Sequence, residues 1–140
     1  LSHALATPTS QGGGLVHLIS ELIFRTNQVA KVQMSLQHYD LPDNLNEEIT
    51  TNLYRVIQEA VENTTKHSNA TQIDIQLFGR DGALIITYED NGAGSDFSEW
   101  KEGAGLKNIR SRIQRLNGTL EIHASTIGVQ MLMTVPVKIN

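Results

Sequence analysis

At 140 residues the chain is the size of one domain, which leaves no room for a two-domain enzyme closing over an inter-domain cleft. Hydrophobic residues make up 39% and charged residues 19%, enough for one core and too apolar for a disordered tail. The 11 Lys and Arg against 15 Asp and Glu give a net charge of −4; with no basic block, a nucleic-acid partner is not expected.

There is no Cys, hence no disulfide and no thiolate chemistry. No apolar run approaches the roughly 18 residues that a membrane-spanning helix needs, and nothing at the start resembles a signal peptide.

Residues 1–14 carry Pro8 and the run Gly12-Gly13-Gly14 and read as a flexible leader. Leu15, Leu18, Ile19, Leu22 and Ile23 recur at helical spacing and predict a short amphipathic helix over Leu15–Arg25. The alternation of Val32, Met34, Leu36 and His38 predicts a strand within Val29–His38. Asn44 or Asn46 can cap a long helix reaching about Ser68, whose inward stripe is Leu53, Val56, Ile57, Ala60, Val61 and Thr64. Strands are predicted over Gln72–Phe78 and Ala83–Glu89, joined by Gly79-Arg80-Asp81-Gly82. A glycine-rich stretch from Asn91 to Gly105 precedes a helix ending near Leu116, with Asn117-Gly118 as its C-cap. Strands over Thr119–Ala124 and Val129–Val137 close the chain. This order predicts an α+β fold, a two-layer sandwich with helices packed on one face of a mixed β-sheet.

Three features can carry chemistry. Glu59, Asn63 and Lys66 stand at i, i+4 and i+7, within roughly 60° of one another on one helix face. They flank the apolar stripe. A carboxylate, an amide oxygen and an ammonium there can orient a water, ligate Mg²⁺ through one hard oxygen and neutralise phosphate charge; a solvated polar row has the same spacing. Asp90-Asn91-Gly92-Ala93-Gly94 follows a strand with no alternating strand after it. A carboxylate fixed there can accept from an exocyclic amine, while glycines let a flat ring approach the backbone; an ordinary turn also uses these residues. Gly103-Ala104-Gly105-Leu106 opens a helix whose free N–H groups favour an anion. No Gly-Lys-Ser/Thr and no GxGxxG after a strand occurs, excluding P-loop and Rossmann sites. The five His residues include no pair at metal-ligand spacing.

In order, Leu53-Tyr54-Arg55-Val56-Ile57-Gln58-Glu59-Ala60-Val61-Glu62-Asn63 with Lys66-His67, then Asp90-Asn91-Gly92-Ala93-Gly94, then Gly103-Ala104-Gly105-Leu106 with Asn108-Ile109 and Arg112 resemble the N, G1 and G2 boxes of the ATP-binding domain of sensor histidine kinases. The short interval from Gly94 to Gly103 is most similar to the branch that includes nitrate and lipid-fluidity sensors. The resemblance covers about Leu15–Val137. It implies the Bergerat ATP-binding fold, with ATP and Mg²⁺ as cofactors.

The same resemblance implies that Glu59 orients water or the Mg²⁺ shell as the catalytic residue, that Asn63 ligates Mg²⁺, and that Lys66 and His67 contact phosphates. Asp90 would accept from the adenine amine, Gly92 and Gly94 would shape the pocket, and Gly103 and Gly105, with Leu106 after them, would let the backbone cradle the phosphates. The γ-phosphate would pass to a His on a dimerisation helix outside these residues and then to a response regulator, in a homodimeric protein whose cytoplasmic part includes this chain. Residues 15–28 would be the end of that dimerisation bundle, with an apolar face left exposed, and residues 29–140 the catalytic domain. One departure is that Gly128-Val129 stands where the family carries Gly-Thr. The alternative on the same fold is a degenerate nucleotide-binding scaffold or an anti-sigma-type Ser/Thr kinase; Glu59 together with Asn63 argues against the scaffold.

Overall fold

A computed structural model describes residues 13–43, 45–92 and 104–137. Helix α1, Gly13–Val29, buries Leu15, Ile19, Leu22 and Thr26, one stripe at helical spacing. Strand β1, Gln33–Tyr39, follows, and Asn27 Oδ1 accepts from Met34 N at 3.1 Å, pinning the last turn of α1 to the new strand. Helix α2, Glu47–His67, is capped by Asn46, whose Oδ1 accepts from Ile49 N at 2.8 Å. Glu47 and Glu48 in its first turn and Lys66 and His67 in its last oppose the helix dipole. Its buried stripe runs Ile49, Asn52, Leu53, Val56, Ile57, Ala60, Val61, Thr64.

Strands β2, Gln72–Arg80, and β3, Ala83–Asp90, form a hairpin. Its two turn residues, Asp81 and Gly82, have φ of 51° and 77°, the paired left-handed conformations that match strand twist. Helix α3, Ala104–Arg115, ends as Asn117 turns left-handed at φ 60°. Gly118 N then donates to Ile113 O and Asn117 N to Gln114 O, both at 2.9 Å, satisfying carbonyls the helix leaves open. Strands β4, Thr119–Ser125, and β5, Gly128–Pro136, pair across Thr126-Ile127.

The five strands lie in the order β1-β2-β3-β5-β4. Only β1 and β2 run parallel, as the intervening helix α2 requires. One face buries Met34, Ile73, Ile75, Leu77, Leu84, Ile86, Tyr88, Met131 and Met133 against the helices, while residues between them, such as Gln76, Thr87 and Gln130, look outward. The topology also fixes where elements end. Helix α2 finishes at the start of β2; Ile73 of β2 faces Asp90, the last residue of β3, and Asp90 faces Val129 at the start of β5. One end of the sheet therefore gathers the C-terminus of α2, the exit of β3 and the entry of β5.

The α+β reading and the element order hold. Two boundaries are corrected. Gly13 and Gly14 belong to α1 rather than to a leader, and Val29 is the helix's last residue rather than the first of a strand; residues 1–12 lie outside the described residues. The expected exposed apolar face on Leu15–Arg25 is also corrected, because Leu15 and Ile19 are 1% and 0% exposed in the common core. His38, expected on the inner side with Met34, is exposed near the end of the edge strand β1.

Candidate functional site

Asp90 is 4% exposed, and a carboxylate so placed must be met by donors. Three serve it. Gly92 N and Val129 N donate to Oδ1 at 2.9 and 3.3 Å, and Thr64 Oγ1 donates to Oδ2 at 3.0 Å. Both donors on Oδ1 are backbone groups at the sheet's end, so that oxygen is anchored to the main chain. Oδ2, with one partner among the described residues, keeps acceptor capacity.

Behind Thr64 lies Tyr88, whose hydroxyl contacts Thr64 Oγ1 and donates to Ala60 O at 3.2 Å. Burial pushes the Tyr88 phenol well above its usual pKa; the Thr64 hydrogen bond pulls it down, and the Asp90 charge raises it further. Tyr88 is therefore a neutral donor at ordinary pH.

The approach to this point is tightly built. Asn91 Oδ1 accepts from Thr71 N at 2.8 Å and Gln72 N at 3.0 Å, and its Nδ2 donates to Thr71 Oγ1 at 3.0 Å, so a side chain ties the exit of β3 to the entry of β2. A Cβ on Gly92 would stand 2.0 Å from Ser68 Oγ, just past the end of α2. Gly128, at φ +150°, packs so closely that a Cβ there would be 2.0 Å from Asp90 O.

On α2, Glu59 and Asn63 are half-buried, Lys66 is exposed and His67 is half-buried, which is the flanking position their spacing predicts. The Asn63 amide lies flat against the start of α3: a Cβ on Gly105 would meet its Nδ2 at 2.6 Å and its Oδ1 at 2.8 Å. Among the described residues Asn63 Nδ2 is sealed from solvent without a hydrogen-bond partner. Leu106 is buried beside this contact, and Arg112 Nη1 donates to Asn52 Oδ1 at 3.0 Å, tying α3 to α2.

Asn63, Gly105 and Leu106 thus converge at one contact, while Asp90 and Gly92 converge at another, joined through Thr64, the residue after Asn63. Gly94 and Gly103 lie outside the described residues.

No group of three or more His, Cys, Asp or Glu side chains able to hold a metal ion occurs among the described residues. Mg²⁺ is compatible with that sparse set, since it keeps waters and takes other ligands from phosphates. The amide on Gly105, with its unpaired nitrogen, provides one hard oxygen in a place that only glycine leaves open. The donor set fits.

Sequence reasoning read Thr64 only as part of the inward stripe of α2, did not single out Tyr88, and missed the clamping role of Asn91. A signal was present. A hydroxyl in an otherwise apolar inward stripe must find a partner.

Residues 48–139 match the family described as histidine kinase-, DNA gyrase B- and HSP90-like ATPase. The chain belongs to this ATPase family. It is 33% identical over 114 residues to the sensor protein VraS of Staphylococcus aureus, covering 81% of this chain and 31% of VraS. It is 29% identical over 144 residues to the sensor histidine kinase MctS of Rhizobium johnstonii, covering 100% of this chain and 31% of MctS. The chain therefore spans about a third of the length of the curated relatives it matches.

In fold it matches a blue-light activated histidine kinase of Erythrobacter litoralis, with a TM-score of 0.73 at 20% identity over 91% of this chain and 42% of that one. It also matches the ATP binding domain of PrrB from Mycobacterium tuberculosis, with a TM-score of 0.69 at 20% identity over 87% of this chain and 93% of that one. Family and fold agree with an ATP-binding domain, and the scaffold and anti-sigma alternatives are not favoured.

Proposed function

We propose that this chain is the Mg-ATP-binding catalytic domain of a two-component sensor histidine kinase, of the branch similar to nitrate and lipid-fluidity sensors. The observation that carries the reading is the Asp90 carboxylate, buried and held by three donors with acceptor capacity left on Oδ2. In this reading Oδ2 accepts the exocyclic amine of adenine. Gly92 and Gly94 keep side chains away from the ring. Asn63 Oδ1 is the hard oxygen that would hold Mg²⁺, and Glu59, one turn earlier, holds a water of its shell. Bound Mg²⁺ would supply charge neutralisation at the phosphates.

Lys66 and His67 extend that positive character from the last turn of α2, and Gly103, Gly105 and Leu106 bring the backbone N–H groups at the start of α3 to the phosphates. The chain's residues thereby position the γ-phosphate and screen its charge, which is most of what phosphoryl transfer asks of a protein. The acceptor is a His on a dimerisation helix of a longer, homodimeric protein, and the phosphoryl group passes on to a response regulator. The reading places the chain in the cytoplasmic part of a membrane-bound sensor; no helix among the described residues is itself long and apolar enough to cross a membrane.

Calorimetric titration with ATP, with and without Mg²⁺, tests the reading against an Asp90→Asn variant whose folding is checked by thermal melting. Mg²⁺-dependent binding by the parent chain and its loss in a folded variant are the expected result. Equal binding by both would remove Asp90 from the site.

A further inference from the structure

We propose that Thr64 is a positioning residue that aims Asp90 Oδ2 at an N–H donor on the bound base, so that it sets selectivity for purines carrying an exocyclic amine; this rests on the reading of Asp90 as the base acceptor. An ionised carboxylate only accepts, so in the 3.0 Å contact between Thr64 Oγ1 and Asp90 Oδ2 the hydroxyl donates. Thr64 has one proton and has now given it away. Its oxygen can only accept from Tyr88, whose own proton is shared between Thr64 and Ala60 O. The direction of every bond in the chain from Tyr88 through Thr64 to Asp90 is therefore fixed.

That fixed direction has a geometric consequence. Oδ1 is pinned by Gly92 N and Val129 N, and Oδ2 is pinned by Thr64, so the carboxylate cannot rotate about its Cβ–Cγ bond without breaking a buried hydrogen bond. The remaining acceptor capacity of Oδ2 points in one direction before any ligand arrives, which removes an ordering cost from binding. A base presenting N–H there gains a charge-assisted hydrogen bond. A base presenting a carbonyl oxygen brings lone pairs against lone pairs, and the carboxylate has no freedom to turn aside. Thr64 is fully buried in the inward stripe of α2, so Val, of the same branched shape, removes only the hydroxyl.

Affinities for ATP and for purine riboside triphosphate, which lacks the amine at position 6, are measured for the parent chain and for Thr64→Val, Thr64→Ser and Asp90→Asn, with thermal melts alongside. Thr64→Val is expected to weaken ATP about tenfold, the size of one charge-assisted hydrogen bond, and to leave purine riboside triphosphate within about twofold. Thr64→Ser should restore ATP. Equal weakening for both nucleotides, or none for ATP, overturns the role of Thr64. If Asp90→Asn also fails to separate the two nucleotides, Asp90 itself is not the base acceptor and the inference falls with it; if Asp90→Asn separates them and Thr64→Val does not, only the inference fails. Should Thr64→Val not fold, Tyr88→Phe carries the test, since it unhooks Thr64 from behind: a loss confined to ATP supports the proposal, and an equal loss for both nucleotides overturns it.

Discussion

Tyr88 and Asp90 are two residues apart on β3 and so share its inner face, one neutral and one charged in the same buried space. The neutral state of Tyr88 has a thermodynamic cost at high pH. Its pKa is raised in the folded chain well above the ordinary value of a phenol, so the folded state holds the phenolic proton where the unfolded state releases it. The stability this contributes is fully present below about pH 10 and is lost as pH rises through the folded value. Urea unfolding of the parent chain should therefore weaken above about pH 10 more steeply than unfolding of Tyr88→Phe, whose profile lacks this proton; matching slopes would show that Tyr88 titrates normally. The neighbouring carboxylate was legible in the sequence because Asp90-Asn91-Gly92 ends a strand with no alternating strand after it, which sets it apart from the hairpin turn that uses the same residues. Thr64 was not, because its position in the stripe of α2 looks the same whether its hydroxyl meets a partner 26 residues away or none.

Helix α2 brings Glu59, Asn63, Thr64, Lys66 and His67, all from its C-terminal half, to one end of the sheet. Its N-terminus depends on a single side chain, Asn46, on the N–H of Ile49. Asn46→Ala should cost about 1 kcal/mol, read as a fall in Tm of about 3 °C, with nucleotide affinity little changed because the site lies at the opposite end. An unchanged Tm would mean that another group caps the helix. Caps and turns were the most legible elements, since Asn46, Asp81-Gly82 and Asn117-Gly118 act through neighbours a few residues away. The end of α1 was less so: its stripe continues from Leu22 to Thr26, and a polar residue at the last inward position hid the continuation, leaving Val29 to be read with Val32.

At the scale of the molecule, the core is shared by all three helices and the sheet, and α1 is part of it. An amphipathic helix carries the same pattern whichever core it faces, so its burial here could not be read from periodicity alone. Ile19→Ala removes a fully buried side chain and should cost about 2–5 kcal/mol, lowering the urea midpoint at unchanged slope; a loss under about 0.5 kcal/mol would place α1 outside the cooperative unit. What α1 leaves exposed is smaller: Phe24 and Val29, 67% and 86% exposed.

The Asn91 clamp also bears on how the protein ages. Asn-Gly is a pair in which the glycine nitrogen can attack the side-chain carbonyl, expel ammonia and close a succinimide that opens to aspartate or isoaspartate. In the folded chain the Gly92 N–H is given to Asp90, and the Asn91 amide is held on three sides by Thr71 and Gln72, so neither group can reach the other. Deamidation at Asn91 in a stored sample would then proceed only through molecules in which this end of the sheet has come apart, and its rate would record how often that happens.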